Sequence, residues 1–230
     1  MLAGVIFDLD GTLVDSLEDI GASMNAALAR FGLPAFPIDA YKMMVGDGAA
    51  VLARRATAGT AVDPAALADV YAEEYEARDH RSSRPYPGID ALLAALVARG
   101  VVLAVLSNKP DAFTRAMVRV RLADIPFRAV YGQRTGVPRK PDPAAALAVA
   151  VELGLAPAQL AFVGDTAVDI ATGRAAGMLP VGVLWGFRGR DELEAAGARH
   201  VIARPAELLE IVGGGDRPGG AGASTRAGAG

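Results

Sequence analysis

The spacing of apolar residues changes along the chain and predicts two kinds of structure. A short apolar run at 4–7 ends at Asp8, which is typical of a strand in a sheet covered on both faces. Residues 16–84 show helical spacing instead, with no strand pattern, and helices are predicted at 17–31, 38–45, 48–58 and 64–80. This stretch predicts an all-helical unit of about 70 residues.

From residue 85 onward, predicted strands and helices alternate. Strands fit 101–106, 129–131, 160–163, 180–184 and 200–202, and helices fit 89–99, 110–121, 143–154, 168–176, 191–196 and 205–211. Repeated β-α-β units predict an α/β fold, with a three-layer, Rossmann-like core and a mainly parallel sheet. The isolated first strand is expected to join that sheet, which makes the helical unit an insertion after it.

The same pattern predicts three regions of the chain. Residues 1–15 and 85–212 are expected to form the core, and residues 16–84 a small helical domain. Residues 213–230 contain eight Gly and no apolar side chain larger than Ala. Because such a segment cannot bury enough apolar surface to order itself, we expect a disordered tail.

Composition narrows the chemistry. The 230 residues include no Cys and two His, which excludes disulfides, Cys-ligated metal centres and thiol nucleophiles and argues against a multi-His site or a Ser/His/Asp triad. A net charge of −3 provides no basic surface for nucleic acid or an acidic membrane. No apolar run reaches the ~18 residues of a membrane helix, and the N-terminus lacks the basic segment of a secretory signal. We expect a cytoplasmic protein, either monomer or homodimer.

Acidic residues follow two of the predicted strands, at the sheet edge where open α/β proteins place their active sites. Asp8 and Asp10 could hold a cation, or one could act as nucleophile and the other as proton donor. An ordinary Asp-Gly turn is the alternative. Asp165 and Asp169, one helical turn apart, suit a hard cation such as Mg²⁺, although they could also cap a helix.

Two further strand ends carry groups suited to an anion. Ser107-Asn108-Lys109 precedes a predicted helix opened by Pro110, so its hydroxyl and N–H groups could bind an anion or cap the helix, with Lys109 facing solvent. Lys140 is one of three Lys against 20 Arg, which favours a functional charge over a solvated one. Simple capping would rarely place two acids, a hydroxyl, a Lys and two more acids on successive strand ends.

These segments resemble the four signatures of the haloacid dehalogenase-like hydrolase superfamily. Residues 7–16, FDLDGTLVDS, resemble the first, and SNK at 107–109, KPDP at 140–143 and GDTAVD at 164–169 resemble the other three. The helical insertion is similar to the small cap domain of that family. Weaker likenesses at 45–49, 131–134 and 183–188 are closest to the phosphoglycolate phosphatase group.

The resemblance implies a role for each acid. Asp8 would attack phosphorus and form an aspartyl-phosphate, and Asp10 would protonate the leaving oxygen and then activate water. Mg²⁺ would be held by Asp8, Asp165 and the backbone carbonyl of Asp10, with Asp169 supporting it through water. Phosphoryl oxygens would be held by Ser107, the backbone N–H of Asn108 and Lys140, with Gly11 and Thr12 helping to position the phosphate.

Asp10 favours phosphate-ester hydrolysis, because true dehalogenases and phosphonate-cleaving relatives lack a second acid at this place. The resemblance therefore implies a Mg²⁺-dependent phosphatase for a small phosphorylated metabolite, with 2-phosphoglycolate the leading candidate. A sugar-phosphate mutase, a pyrophosphatase and a non-catalytic binding protein are the alternatives. Specificity is expected from the insertion, where the turn at 46–48 could face the site and Lys42, Arg54 and Arg55 could meet a substrate carboxylate.

Overall fold

A parallel six-stranded sheet forms the centre of the molecule, as the strand–helix alternation predicts. The computed structural model describes residues 2–214, so most of the predicted tail, 215–230, lies outside the described residues. The strands of the sheet are β1 (Gly4–Phe7), β4 (Val102–Pro110), β5 (Ala129–Gln133), β6 (Leu160–Gly164), β7 (Leu179–Val183) and β8 (His200–Ile202). The strand order is β5-β4-β1-β6-β7-β8, with all pairs parallel.

Helices cover both faces of this sheet and give it the predicted three layers. Along β1, Val5 and Phe7 belong to one buried apolar cluster and Ile6 to another, because successive side chains of a strand point to opposite faces. Both clusters are completed by side chains from the flanking helices. These helices are α4 (Ile89–Ala98), α5 (Asp111–Arg121), α6 (Ala144–Leu153), α7 (Ala167–Ala175), α8 (Arg190–Ala195) and α9 (Leu208–Gly213).

The helical insertion lies between β1 and β4 in the chain and has an apolar cluster of its own. It contains α1 (Leu17–Arg30), a 3₁₀ helix (Ile38–Met43), α2 (Ala49–Ala56) and α3 (Pro64–Arg78). Phe187, from the loop after β7, packs into the same cluster. The helix predicted at 38–45 is thus a shorter 3₁₀ turn, and α3 ends before Asp79, whose φ of 51° is left-handed.

A short antiparallel ribbon joins the insertion to the sheet. It is formed by β2 (Val14–Asp15) and β3 (Arg84–Pro85). The prediction that residues 16–84 hold no strand is therefore wrong at Arg84, because a two-residue strand is too short to produce a periodic pattern. Nearby, the buried carboxylate of Asp19 accepts hydrogen bonds from the Arg78 side chain at 2.7 Å and the Ser83 hydroxyl at 2.6 Å. These bonds tie the two ends of the insertion together.

Candidate active site

Three buried carboxylates meet at the carboxyl edge of the sheet. Asp8 and Asp165 follow β1 and β6, which are neighbours in the sheet, and Asp169 lies in the first turn of α7. One oxygen from each carboxylate lies within 4.8 Å of the other two. The topology therefore brings together three of the acids that the sequence placed at two strand ends.

Lys140 supplies one positive charge to these three carboxylates. Its Nζ lies 2.6 Å from Asp169 Oδ1 and 3.0 Å from Asp8 Oδ1, and its side chain is 2% exposed. Burial lowers the pKa of Lys140, but the charges of Asp169 and Asp8 outweigh burial and raise that pKa overall. Lys140 is therefore a buried cation, as the scarcity of Lys in the sequence suggested.

The negative charge in this cluster exceeds what Lys140 can offset. Burial raises the pKa of Asp8 to about 6, with Asp169 and Asp10 adding to the rise and Lys140 opposing it. Burial, together with the charges of Asp169 and Asp8, raises the pKa of Asp165 well above its ordinary value. Carboxylate oxygens are the ligands of hard divalent cations, so the donor set and its unbalanced charge fit such a metal.

Neighbouring groups fix the orientation of the two later acids. The Thr12 hydroxyl donates to Asp165 Oδ1 at 3.0 Å, and the Phe187 N–H donates to Asp165 Oδ2 at 2.8 Å. Asp169 caps α7 with Oδ2, which accepts from the Thr166 hydroxyl at 2.8 Å, and pairs with Lys140 through Oδ1. Asp169 can therefore cap α7 and pair with Lys140 at the same time, because each interaction uses a different carboxylate oxygen.

Gly11 has a conformation and surroundings that no other residue would tolerate. Its φ is +82°, and a Cβ at this position would collide with the Asp165 carboxylate. Its N–H donates to Val14 O at 2.9 Å within the turn. Gly11 therefore packs against the Asp165 carboxylate, and Thr12 donates a hydrogen bond to it, so both residues contact the acidic cluster at Asp165.

The segment at 107–109 lies on a strand that is longer than predicted, although this strand still leads directly into a helix. Strand β4 continues to Pro110 because Pro110 pairs with Gln133 of β5, and α5 begins only at Asp111. Ser107 is 5% exposed and its hydroxyl accepts from the Lys109 N–H at 3.3 Å. The Asn108 side chain accepts from the Lys140 N–H at 3.0 Å and donates to Lys140 O at 3.1 Å, so it positions the Lys140 backbone.

Lys109 lies inside the site, and the expectation that it faces solvent is wrong. Its side chain is 5% exposed, and its Nζ lies 3.1 and 3.0 Å from the two carboxylate oxygens of Asp10. The Ser16 hydroxyl also donates to Asp10, at 2.6 Å, and the face of the Tyr75 ring lies 4.3 Å from Lys109 Nζ. The Asp10 side chain is thus engaged by Ser16 and Lys109 instead of joining the three clustered carboxylates.

A cavity of about 50 Å³ separates Asp8 and Asp10 from the helical insertion. Gly46 and Gly48 line it, so the turn at 46–48 does face the site, and Gly46 O accepts from the Asn108 side chain at 3.0 Å. The remaining lining side chains from the insertion are apolar or aromatic: Ile20, Val45, Ala49, Leu52 and Tyr71.

The charged residues of the insertion that the sequence suggested for substrate binding do not line this cavity. Lys42 pairs with Asp39 at 2.9 Å, and Arg55 pairs with Asp47 at 2.7 Å. Arg54 is exposed. Sequence reasoning missed Lys109 and Tyr75; the one signal for Lys109 is its position among three Lys in an Arg-rich chain.

Comparison with known proteins identifies the family. The family model of haloacid dehalogenase-like hydrolases matches residues 5–183. The chain belongs to this family. Among residues 2–214, no helix is long and apolar enough to cross a membrane.

Two curated relatives are phosphoglycolate phosphatases. The protein of Rhodospirillum rubrum is 39% identical over an alignment of 233 positions, which covers 95% of this chain and 96% of the relative. The protein of Pseudomonas putida KT2440 is 37% identical over 206 residues, which cover 86% of this chain and 75% of the relative. A crystal structure of a predicted phosphoglycolate phosphatase from Haemophilus somnus has a TM-score of 0.85 and 30% identity, covering 91% of this chain and 97% of the other. This haloacid dehalogenase-like hydrolase is thus a phosphatase, a phosphoric monoester hydrolase, of the phosphoglycolate phosphatase-like group.

Proposed function

We propose that the protein hydrolyses 2-phosphoglycolate to glycolate and phosphate through an aspartyl-phosphate on Asp8. The observation that carries this proposal is the arrangement of two acids around one cavity: Asp8 beside Lys140, and Asp10 held separately by Ser16 and Lys109. One carboxylate is thereby placed to attack, and the other to handle a proton. The names of the relatives support the substrate.

The acidic cluster would hold Mg²⁺ through the carboxylates of Asp8 and Asp165 and the backbone carbonyl of Asp10, with Asp169 supporting it through water. When bound, the metal supplies positive charge that offsets the charge of the phosphoryl group and of Asp8. The donor set contains oxygens alone, which favours Mg²⁺ or a close substitute over softer metals.

The protein's own residues carry the two chemical steps. In the first step, a carboxylate oxygen of Asp8 forms a bond to phosphorus as the bond from phosphorus to the glycolate oxygen breaks, and Asp10 gives a proton to that leaving oxygen. In the second, Asp10 takes a proton from water, the water oxygen bonds to phosphorus, and the Asp8–phosphorus bond breaks. Ser107, the Asn108 N–H and Lys140 hold the phosphoryl oxygens through both steps.

The helical insertion acts in this proposal as a cap domain that closes the cavity over the substrate. Asn108 and Arg139 of the core donate hydrogen bonds to backbone carbonyls of the turn at 46–48, at 3.0 Å each. Arg188 donates to two carbonyls just before that turn, Lys42 O and Val45 O. These contacts support an insertion that rests directly on the residues expected to bind phosphate.

The experiment is to measure phosphate release from 2-phosphoglycolate, pyrophosphate, hexose phosphates and nucleotides in Mg²⁺ buffer, together with sugar-phosphate isomerisation. We expect the highest kcat/KM for 2-phosphoglycolate and no isomer. Asp8→Asn should abolish phosphate release, whereas Asp69→Asn, a matched change at an exposed position of α3, should not. Isomer formation without phosphate release would instead establish a mutase, and a preference for pyrophosphate would replace the proposed substrate.

A further inference from the structure

The cavity has polar groups on its core side, among them Asp8, Asp10 and Lys109, and mainly apolar side chains on the side of the insertion. Of the described residues that line it, Lys109 is the one with a positively charged side chain. The wall contributed by the insertion contains no charged residue. A substrate with a second anionic group besides its phosphate can therefore find an opposite charge in this cavity at Lys109.

Contacts with three residues hold the side chain and backbone of Lys109 in place within the site. An ammonium group has three N–H donors, and two from Lys109 point to the two oxygens of Asp10. Tyr75 of the insertion covers another side of the ammonium group, with the centre of its ring 4.3 Å from Lys109 Nζ. The Thr114 hydroxyl donates to Lys109 O at 3.2 Å and so fixes the backbone.

We propose that Lys109 binds the carboxylate of 2-phosphoglycolate and so determines substrate specificity; this inference rests on the proposed function. In that substrate a single carbon joins the leaving oxygen to the carboxylate. The group that protonates the leaving oxygen and the cation that binds the carboxylate must therefore be neighbours. Asp10 and Lys109 meet this requirement, because their charged atoms are 3.0 and 3.1 Å apart.

The other cations near the site have different tasks. Lys140 is committed to Asp8 and Asp169 on the phosphate side. Arg139 donates to Asp47 O, and Arg188 donates to Val45 O, so both hold the insertion in place. When one carboxylate oxygen of Asp10 binds the leaving oxygen of the substrate, the Lys109 N–H that this carboxylate oxygen had accepted becomes free. That N–H can then donate to the substrate carboxylate.

The test compares 2-phosphoglycolate with ethyl phosphate, which has the same two carbons but a methyl group in place of the carboxylate. The variant is Lys109→Gln, and the control is Lys42→Gln, a matched change at a Lys whose side chain is 44% exposed. We expect wild type and Lys42→Gln to prefer 2-phosphoglycolate. Lys109→Gln should lose about 100-fold in kcat/KM for 2-phosphoglycolate, with a much smaller loss for ethyl phosphate. Equal losses on both substrates would show that Lys109 acts through Asp10 alone and would overturn the inference.

A wild type without preference for 2-phosphoglycolate would refute the proposed function itself, so the two failures are distinguishable. Lys109→Gln leaves Asp10 without its cation and could impair folding. The double variant Asp10→Asn/Lys109→Gln avoids this problem, because it replaces the ion pair with two neutral amides. Calorimetry should show about 100-fold weaker binding of 2-phosphoglycolate to the double variant than to Asp10→Asn. Equal affinities would also overturn the inference.

Discussion

Replacing Asp8, the proposed nucleophile, should make the metal-free protein more stable. Asp8, Asp165 and Asp169 bring three buried carboxylates together, and Lys140 supplies one positive charge in return. Asp8→Asn removes one negative charge from this cluster with almost no change of shape. We therefore expect the variant to lose activity and to gain stability once metal has been removed by chelation.

The magnitude follows from the pKa of Asp8. Burial raises this pKa from 3.8 to about 6 in the folded protein. The folded state then binds the proton more tightly than the unfolded state does, so wild-type stability falls as pH rises from about 4 to about 6. Above about pH 6, burying the ionised Asp8 carboxylate lowers the free energy of unfolding by its full amount, about 3 kcal/mol. In a chain of this size, that cost corresponds to a difference in Tm of about 6–12 °C.

Thermal unfolding of chelated protein between pH 4.5 and 8 measures this effect. Asp8→Asn should exceed wild type in Tm at pH 8, and the gap should narrow as pH falls below 6. Asp69→Asn serves as the exposed control and should follow wild type. Added Mg²⁺ should raise the Tm of wild type more than that of Asp8→Asn. A lower Tm for Asp8→Asn at pH 8, or a gap independent of pH, would refute this electrostatic argument.

Three further predictions concern the site and the tail. Asp10→Asn should release a burst of nitrophenol from p-nitrophenyl phosphate and then turn over very slowly, because nitrophenolate leaves without a proton but water still needs a base; equal loss on alkyl phosphates with no burst would contradict the role of Asp10. Lys140→Ala should lower kcat/KM on every substrate by about 100-fold or more, and also lower Tm, since Asp8 and Asp169 lose their shared cation; a selective loss on one substrate would count against it. Deleting 215–230 should leave kcat/KM and Tm nearly unchanged, because this segment offers no apolar anchor; a drop of several degrees would show that it docks.

The sheet and its acidic edge could be predicted because both depend on short-range pattern. Apolar strands end abruptly, and the carboxyl ends of parallel strands share one edge, so the sequence predicts that Asp8 and Asp165 lie at the same edge of the sheet. A functional charge at Lys140 could likewise be anticipated from the rarity of Lys. These expectations need no knowledge of how distant side chains pack.

The position of Lys109 could not be predicted in this way. Pairing between β4 and β5 extends the strand to Pro110, and that pairing leaves no periodic signal in residues 107–110. The Lys109 side chain therefore points toward Asp10 and Tyr75 instead of pointing to solvent. Tyr75 itself belongs to a helix that the sequence predicts at 64–80, but which of its rings reaches the site depends on the packing of the insertion.

Locating the phosphoryl group during turnover tests the central claim most directly. Wild-type protein is mixed with 2-phosphoglycolate carrying a radiolabelled phosphate, quenched in acid within milliseconds, and digested for peptide mapping. We predict label on the peptide that contains Asp8, released by hydroxylamine as expected for an acyl phosphate and missing in Asp8→Asn. Label on another residue, such as Ser107, or phosphate release with no labelled protein at any time, would contradict the assignment of Asp8 as nucleophile.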